Sequence, residues 1–335
     1  MAWGWTGSDL FVWGGEHGQR DGALYDPATD SWTMLPALPS LPAQGPPSTM
    51  VIEPPTAAGA TQTAPVTTTA VPDEPVDATA VWTGSAVMLL VWRDGGPTMD
   101  TWTYAPGDSG WTRGTAISPR SDARIGTVEA VTVAGTVYCW VAWSYVEAQT
   151  PNDTAIYSSI DGYGWTGSEW PSIDQRPKLE SLGPLAVAGT NVVMGPAQMF
   201  TGGHSAPFSI MVGRLIDPAS GRSTELPKAP GDYAMDGYQV AWTGGALLGF
   251  GSSTYTQDPD GTEHLPGAAA AWDPDADRWR KLTGSPLAFY GATGVWTGSE
   301  LLVWGLMFPA DQANTADPSY RAAGLQFAPP ETGSG

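Results

Sequence analysis

Ten side chains in this sequence are candidates for work on a ligand: Glu16, His17, Arg20, Arg93, Asp94, Arg120, Arg124, His204, Tyr255 and Asp258. A guanidinium offers a planar fork of donors to a carboxylate or to sugar hydroxyls. A histidine trades protons near neutral pH. Asp122, Glu147, His264 and Asp311 stand near these positions and add acceptors and a third imidazole. The spacing of the set is that of scattered loop residues. It contains no zinc-type Cys/His spacing, no Gly-rich phosphate loop and no Ser/His/Asp arrangement. His17 and His204 would be acid–base groups or ligands only if the fold brought them together. No catalytic residue, metal ligand or cofactor is therefore assigned. The chemistry expected is recognition through charge, hydrogen bonds and aromatic contact.

The bulk properties narrow the partner. The chain has 335 residues, 34 acidic and 14 basic, for a net charge of −20. Such a field repels phosphate backbones and anionic lipid surfaces, so nucleic acid and membrane-surface binding are set aside. No apolar run reaches the roughly 18 residues of a membrane span, so no membrane insertion is expected. The N-terminus MAWGWTGSDL has neither a basic nor an apolar leader region, so it is no signal peptide. The single cysteine, Cys139, lies in the apolar run VYCWVAW and reads as a core residue. Forty-two glycines and 31 prolines favour turns over long helices.

The elements that must position the candidates are repeats. VWTGSELLVWG (295–305) echoes GWTGSDLFVWGG (4–15), VWTGSAVMLLVW (81–92) and AWTGGALLGFG (241–251). TVAGTVYCWV and AVAGTNVVMG are degenerate copies. The turn glycines Gly7, Gly84, Gly135, Gly189, Gly244 and Gly298 are spaced by 77, 51, 54, 55 and 54 residues. The larger first interval holds a Pro/Thr/Ala-rich insertion, 40–77, which is too poor in apolar groups to pack and reads as a long loop, with a hidden strand near STMVIEP as an option. A second signature follows each first one: YDPATDSW, YAPGDSGW, YSSIDGYGW, IDPASGRST, WDPDADRW and the fragment FAPPETGSG. Its pattern is an aromatic or apolar residue, a polar turn, then Trp. Aromatics flanking such a turn pair across a hairpin. DPDAD (273–277) opens like a calcium loop but lacks the glycine and distant glutamate of that motif.

Each repeat thus reads as four short antiparallel strands, A to D. One such sheet buries only one face, and repeats solve this by stacking sheet on sheet. In the fifth repeat the strands are expected at 238–243, 246–250, 269–273 and 278–282. The fold class is all-β: a single six-bladed β-propeller over 1–335. Its blades are expected at about 1–39, 78–116, 120–172, 178–227, 232–284 and 287–332, the last of them three-stranded if the chain supplies no final strand.

The glycine pairs after strand B (WGG 13–15, TGG 201–203), with YDPATDSW, resemble Kelch-type repeats over nearly the whole chain. The pair is replaced by WRDGG in the second copy and WGLM in the sixth. SIDGYGW also resembles a shortened Asp-box, a turn of sialidase propellers that carries no catalysis. The resemblance implies a propeller of the galactose oxidase central-domain type, and family habit points to a secreted protein. An acidic chain without disulfides fits the cytoplasm as well. Copper oxidation is a poor match, since Cys139 lies in a strand and only three histidines occur.

In a four-strand meander the A–B and C–D turns share one face. The B–C loops and D–A links share the other. The first set is short here. The second is long and varied, with B–C loops at roughly 14–22, 93–100, 144–153, 196–208, 251–268 and 305–320. All ten candidates fall on the second set, where a rigid scaffold usually carries binding. His17 and His204 follow strand B of blades one and four, which are opposite in a six-fold ring. The expected function is a non-catalytic module that binds a protein or glycan on this loop face. A Kelch-type sugar enzyme, similar to sialic acid mutarotases, is the second reading. A structural domain of a larger secreted protein is the third.

Overall fold

The structure is a computed structural model. It describes residues 2–14, 20–39, 76–93, 95–150, 153–175, 179, 182–195, 198–199, 209–210, 213–229, 239–252, 256–257, 263–264, 267–282, 288–296, 298, 301–308 and 321–327.

The first blade comprises β1 (Ala2–Trp5), β2 (Leu10–Trp13), β3 (Gly22–Asp26) and β4 (Ser31–Met34). The second comprises β5 (Val76–Trp82), β6 (Val87–Arg93), β7 (Met99–Tyr104) and β8 (Thr112–Arg113). The third comprises β9 (Arg124–Val133), β10 (Thr136–Thr150), β11 (Asp153–Gly164) and β12 (Ser172–Ile173). The fourth comprises β13 (Leu185–Ala188) and β14 (Asn191–Met194), then a small hairpin of β15 (Gln198–Met199) and β16 (Ser209–Ile210), then β17 (Arg214–Asp217) and β18 (Arg222–Glu225). The fifth comprises β19 (Gln239–Trp242) and β20 (Leu247–Ser252), a hairpin of β21 (Thr256–Gln257) and β22 (Glu263–His264), then β23 (Gly267–Asp273) and β24 (Arg278–Lys281). The sixth repeat gives β25 (Ala288–Trp296), β26 (Leu301–Phe308) and β27 (Arg321–Phe327). Pairing in every blade is between neighbours.

The fold is an all-β propeller with five four-stranded antiparallel blades, which corrects the expected six. Among the described residues the sixth repeat is a three-stranded sheet. Its second signature, FAPPETGSG, lacks the closing Trp and carries two adjacent prolines, which donate no ladder hydrogen bond.

The repeated phrases have plain physical uses. In WTGS the glycine takes a positive φ, +101° at Gly7 and Gly84 and +99° at Gly244. The threonine closes that turn: Thr83 Oγ1 donates to the Ala86 carbonyl and accepts from the Ala86 N–H, each at 3.0 Å. In the DP turns the aspartate caps its own loop. Asp26, Asp217 and Asp273 accept backbone N–H groups two residues on at 2.8, 3.0 and 2.9 Å. The calcium-like DPDAD is a turn of this kind.

The third repeat corrects two expectations. YSSIDGYGW contains no turn, because β11 runs through it to Gly164. The turn follows, at a fifth WTGS copy, with Gly167 at φ +104°. The expected loop 144–153 is largely strand, since β10 continues to Thr150 and β11 starts at Asp153. WSYVEAQT keeps the β-branched and aromatic content that favours extension.

The chain divides into two compact units. One holds Met1–Val128, Ala142–Ser159 and Gly167–Trp170; the other holds Glu129–Val141, Ile160–Thr166 and Pro171–Gly335. The first unit packs Phe11, Trp13, Leu35 and Leu38 against Val87, Leu89, Trp102, Tyr104 and Trp111. The second packs Ala186, Val193 and Leu226 against Val240, Leu247, Ala270 and Trp272. Burial of this apolar area, at roughly 25 cal/mol per Å², drives the stacking of blade on blade. Among the described residues no helix is long and apolar enough to cross a membrane.

Candidate functional site

The best-defined surface cluster is built on the third blade. β10 and β11 are the longest strands of the first five blades, with 15 and 12 residues. On the part of this hairpin that belongs to the first unit, the Tyr145 and Tyr157 rings stack with centroids 5.1 Å apart and planes 16° apart. Trp143, two residues before Tyr145 and so on the same strand face, lies 5.9 Å from it at 29°. Tyr157 is 37% exposed, one of few large apolar side chains to be so among the described residues.

A charged pair completes the cluster. Arg120 and Asp122 lie in the link between β8 and β9, where the Ala123 N–H donates to the Arg120 carbonyl at 3.1 Å and tightens the turn. The Arg120 guanidinium carbon stands 4.0 Å from the Tyr145 ring centroid, and its Nε–H donates to the Asp122 carboxylate. This hydrogen bond holds the Asp122 carboxyl below its usual range. Both side chains remain about half exposed, at 46% and 45%. Stacking on a π face and pairing with a carboxylate together fix the guanidinium plane. The result is a flat aromatic step with a held donor and acceptor beside it.

The other candidates fall as follows. Arg93 ends β6 and Arg124 begins β9, each half-buried. The segments that carry them meet where Gly96 donates its N–H to the Arg93 carbonyl at 2.8 Å and accepts the Ile125 N–H at 3.0 Å. Arg20 is half-buried, and its carbonyl accepts the Leu38 N–H at 3.1 Å. Arg120 is joined to both an acid and an aromatic ring. Glu16, His17, Asp94, His204, Tyr255 and Asp258 lie outside the described residues. So do Asp311 and the side chains of Glu147 and His264.

Sequence reasoning missed three groups. Tyr145 was hidden by the expected loop at 144–153, Trp143 borders that loop, and Tyr157 was read as the start of the second signature YSSIDGYGW. The alternation W-S-Y ahead of the residues Pro-Asn-Asp in the sequence was the signal that they share a hairpin face. In the second unit, Glu129 lies on β9, where burial pushes its carboxyl up to about 7. The same blade buries Trp140 and Gln175, at 0% and 4% exposure. The Trp140 indole N–H and both Gln175 amide atoms have no hydrogen-bond partner among the described residues. Cys139 is fully buried and its thiol is pushed far up by that burial, so it is an inert core residue. Among the described residues no cluster of His, Cys, Asp and Glu could hold a metal ion.

No family model and no curated protein sequence matches the chain. Among solved structures it is similar to one titled "Structure of YjhT", with a TM-score of 0.58 and 11% identity over 97% of this chain and 93% of that one. It is one of 129 matching chains, so the likeness concerns a widespread fold. At that identity the fold is what the two share.

Proposed function

We propose that this protein is a non-catalytic, Kelch-like binding module that takes a glycan or protein ligand on the face of its B–C loops and D–A links. The supporting observation is the exposed Tyr157 ring stacked on Tyr145, with Arg120 and Asp122 held alongside. A sugar ring presents one apolar face and a rim of hydroxyls. A flat aromatic beside a fixed donor and acceptor meets both needs, which favours the glycan. Fold likeness adds the scaffold and nothing about the ligand.

The test is a glycan array with the purified chain, followed by titration of any hit. Tyr157→Ala is expected to weaken binding about 5- to 10-fold, the worth of one aromatic contact. Unchanged affinity in Tyr157→Ala and Arg120→Ala would remove this cluster from the site. An array without hits, joined to no protein partner, would favour the structural-domain reading.

A second reading, a carbohydrate-active enzyme of the mutarotase kind, draws on Glu129. A carboxyl held near pH 7 by burial is suited to proton transfer at neutral pH. It predicts accelerated anomer exchange by the native chain and none by Glu129→Gln.

A further inference from the structure

The guanidinium beside the aromatic step is already partly committed. Arg120 and Asp122 share one tight turn in the link between β8 and β9, and that link is anchored on both sides. Before the turn, Ile117 and Met99 exchange backbone hydrogen bonds of 2.9 Å in each direction. The Ser118 hydroxyl donates to the Pro97 carbonyl at 3.2 Å, and the Thr115 hydroxyl to the Ser168 carbonyl at 2.6 Å. After the turn, Ala123 and Ile125 are buried. The two charged side chains thus rise from a fixed base, which lowers the ordering cost of any contact they make.

Other ion pairs show one partner to solvent. In Arg113–Asp100 the carboxylate is buried, and in Arg214–Glu225 the guanidinium is largely buried. Arg120–Asp122 keeps both members about half exposed, so a ligand meets a donor and an acceptor together. Asp122 Oδ1 accepts the Arg120 Nε–H, which occupies one edge of the donor fork. The Tyr145 ring covers one face of the guanidinium. Terminal Nη–H donors remain, next to a carboxylate that has a second oxygen. Adjacent hydroxyls of a neutral pyranose suit that rim: one accepts from an Nη–H and the other donates to Asp122 Oδ2. A ligand carboxylate meets the opposite conditions. Asp122 offsets the positive charge that would draw it, faces it with like charge, and stands on a chain of net charge −20.

We propose that Asp122 sets the charge selectivity of this surface: with Arg120 held by Asp122, the Tyr145–Tyr157 step takes neutral pyranose rings and turns away uronic and sialic acids. This selectivity rests on the glycan reading of the cluster. Asp122 has two tasks, to fix the Arg120 donors and to keep the rim free of net positive charge. Asparagine in its place retains the shape and releases the guanidinium charge, so acidic sugars gain. Glutamate retains the charge, so the preference for neutral rings stays.

The test is an array of matched neutral and acidic glycans, lactose beside sialyllactose and glucosides beside glucuronides. It is probed with the full native chain, Asp122→Asn, Asp122→Glu and Tyr157→Ala. Native hits should be neutral, weakened by Tyr157→Ala, and constant to within about 2-fold between roughly 50 and 500 mM NaCl, because the ligand carries no charge to screen. Asp122→Asn should move the acidic-to-neutral binding ratio by about 5-fold or more toward the acids, and Asp122→Glu should leave it in place. A ratio taken within one variant is unaffected by partial loss of folded protein. Native hits on acidic glycans as strong as on neutral ones, weakened alike by Tyr157→Ala, would leave the glycan site standing and overturn the selectivity. An unmoved ratio in Asp122→Asn, or a folded Asp122→Asn chain that binds neither class, would overturn it as well. An array on which the native chain binds neither class would remove the glycan reading itself, and the selectivity with it.

Discussion

In blade five, Trp242, Leu247, Trp272 and Trp279 form one row across four strands, and the fourth blade's Leu226 packs over it. In blade three the aromatic that should end strand C is displaced. Gly162 and Gly164 stand within β11 instead, the WTGS turn has moved to the C–D position, and Tyr145 and Tyr157 stack toward solvent. Blade five keeps the repeat and spends its aromatics on packing. Blade three leaves the repeat, and there the molecule carries a desolvated carboxyl at Glu129, the orphaned amide of Gln175 and an exposed aromatic step. Local rules that a sequence breaks while still folding tend to mark functional ground. The contrast can be attacked at three points.

The sharpest is Gly162. A Cβ there would lie 2.6 Å from Gln175 Nε2 and 3.0 Å from Trp140 Nε1. Both struck side chains are buried, so neither yields into solvent. Gly162→Ala is expected to cost about 3 kcal/mol, the upper range for overpacking, read by urea denaturation. Gly244→Ala, in the repeat-keeping blade, meets nothing within 4 Å and carries only the strain of φ +99°. It should cost about 1 kcal/mol. Equal losses at the two glycines would erase the distinction between the blades.

The legibility of the sequence follows the same line. The blade-five strands expected at 238–243, 246–250, 269–273 and 278–282 lie within two residues of β19, β20, β23 and β24. Trp-Thr-Gly-Ser and Asp-Pro turns close on their own backbones, so local sequence is enough to place them. Within blade three the C–D turn and the B–C loop were misplaced, because its WTGS copy occupies a different turn and its second signature is strand. Cross-strand context overrode local pattern there. Arg120 was legible as a candidate because it precedes an inner strand. Its partner Asp122 is two residues away and was legible too. Tyr145 and Tyr157 were not, since their pairing depends on strands extending past the expected blade edge. Glu129 was hidden for another reason: burial of a carboxyl is a property of the assembled fold and leaves no mark in the sequence around it.

Glu129 gives the intermediate effect. Its carboxyl titrates at about 7 in the fold against a reference of 4.5, with burial as the cause. A raised folded value means that the group is harmless while protonated. Below pH 4.5 it subtracts nothing from stability. As pH climbs from there to about 7 the folded state must retain a proton or bury a charge, and stability falls; above 7 the loss is complete. The full shift corresponds to about 3 kcal/mol, and the surface this residue retains reduces the expectation to about 2 kcal/mol. Glu129→Gln should therefore raise stability by about 2 kcal/mol at pH 8 and leave it unchanged at pH 4. Thermal melts across that range check it. A variant less stable than the native chain at pH 8 would show that the carboxylate has a stabilising partner and that blade three carries no lone buried charge.

The smallest effect is expected at Tyr157, and its smallness is the point. A staple such as Trp272, 4% exposed and packed on Leu247, loses cavity and transfer energy together when truncated, about 3–5 kcal/mol. Tyr157 keeps 37% of its surface in water and stacks on the Tyr145 ring. Tyr157→Ala should cost about 0.5 kcal/mol, at the low end for a cross-strand aromatic pair on an exposed face. The same variant is the one expected to weaken ligand binding several-fold. A stability loss above about 2 kcal/mol in urea denaturation would make Tyr157 a staple like those of blade five. The exposed step would then be a packing device, and the binding site would have to be sought elsewhere on the loop face.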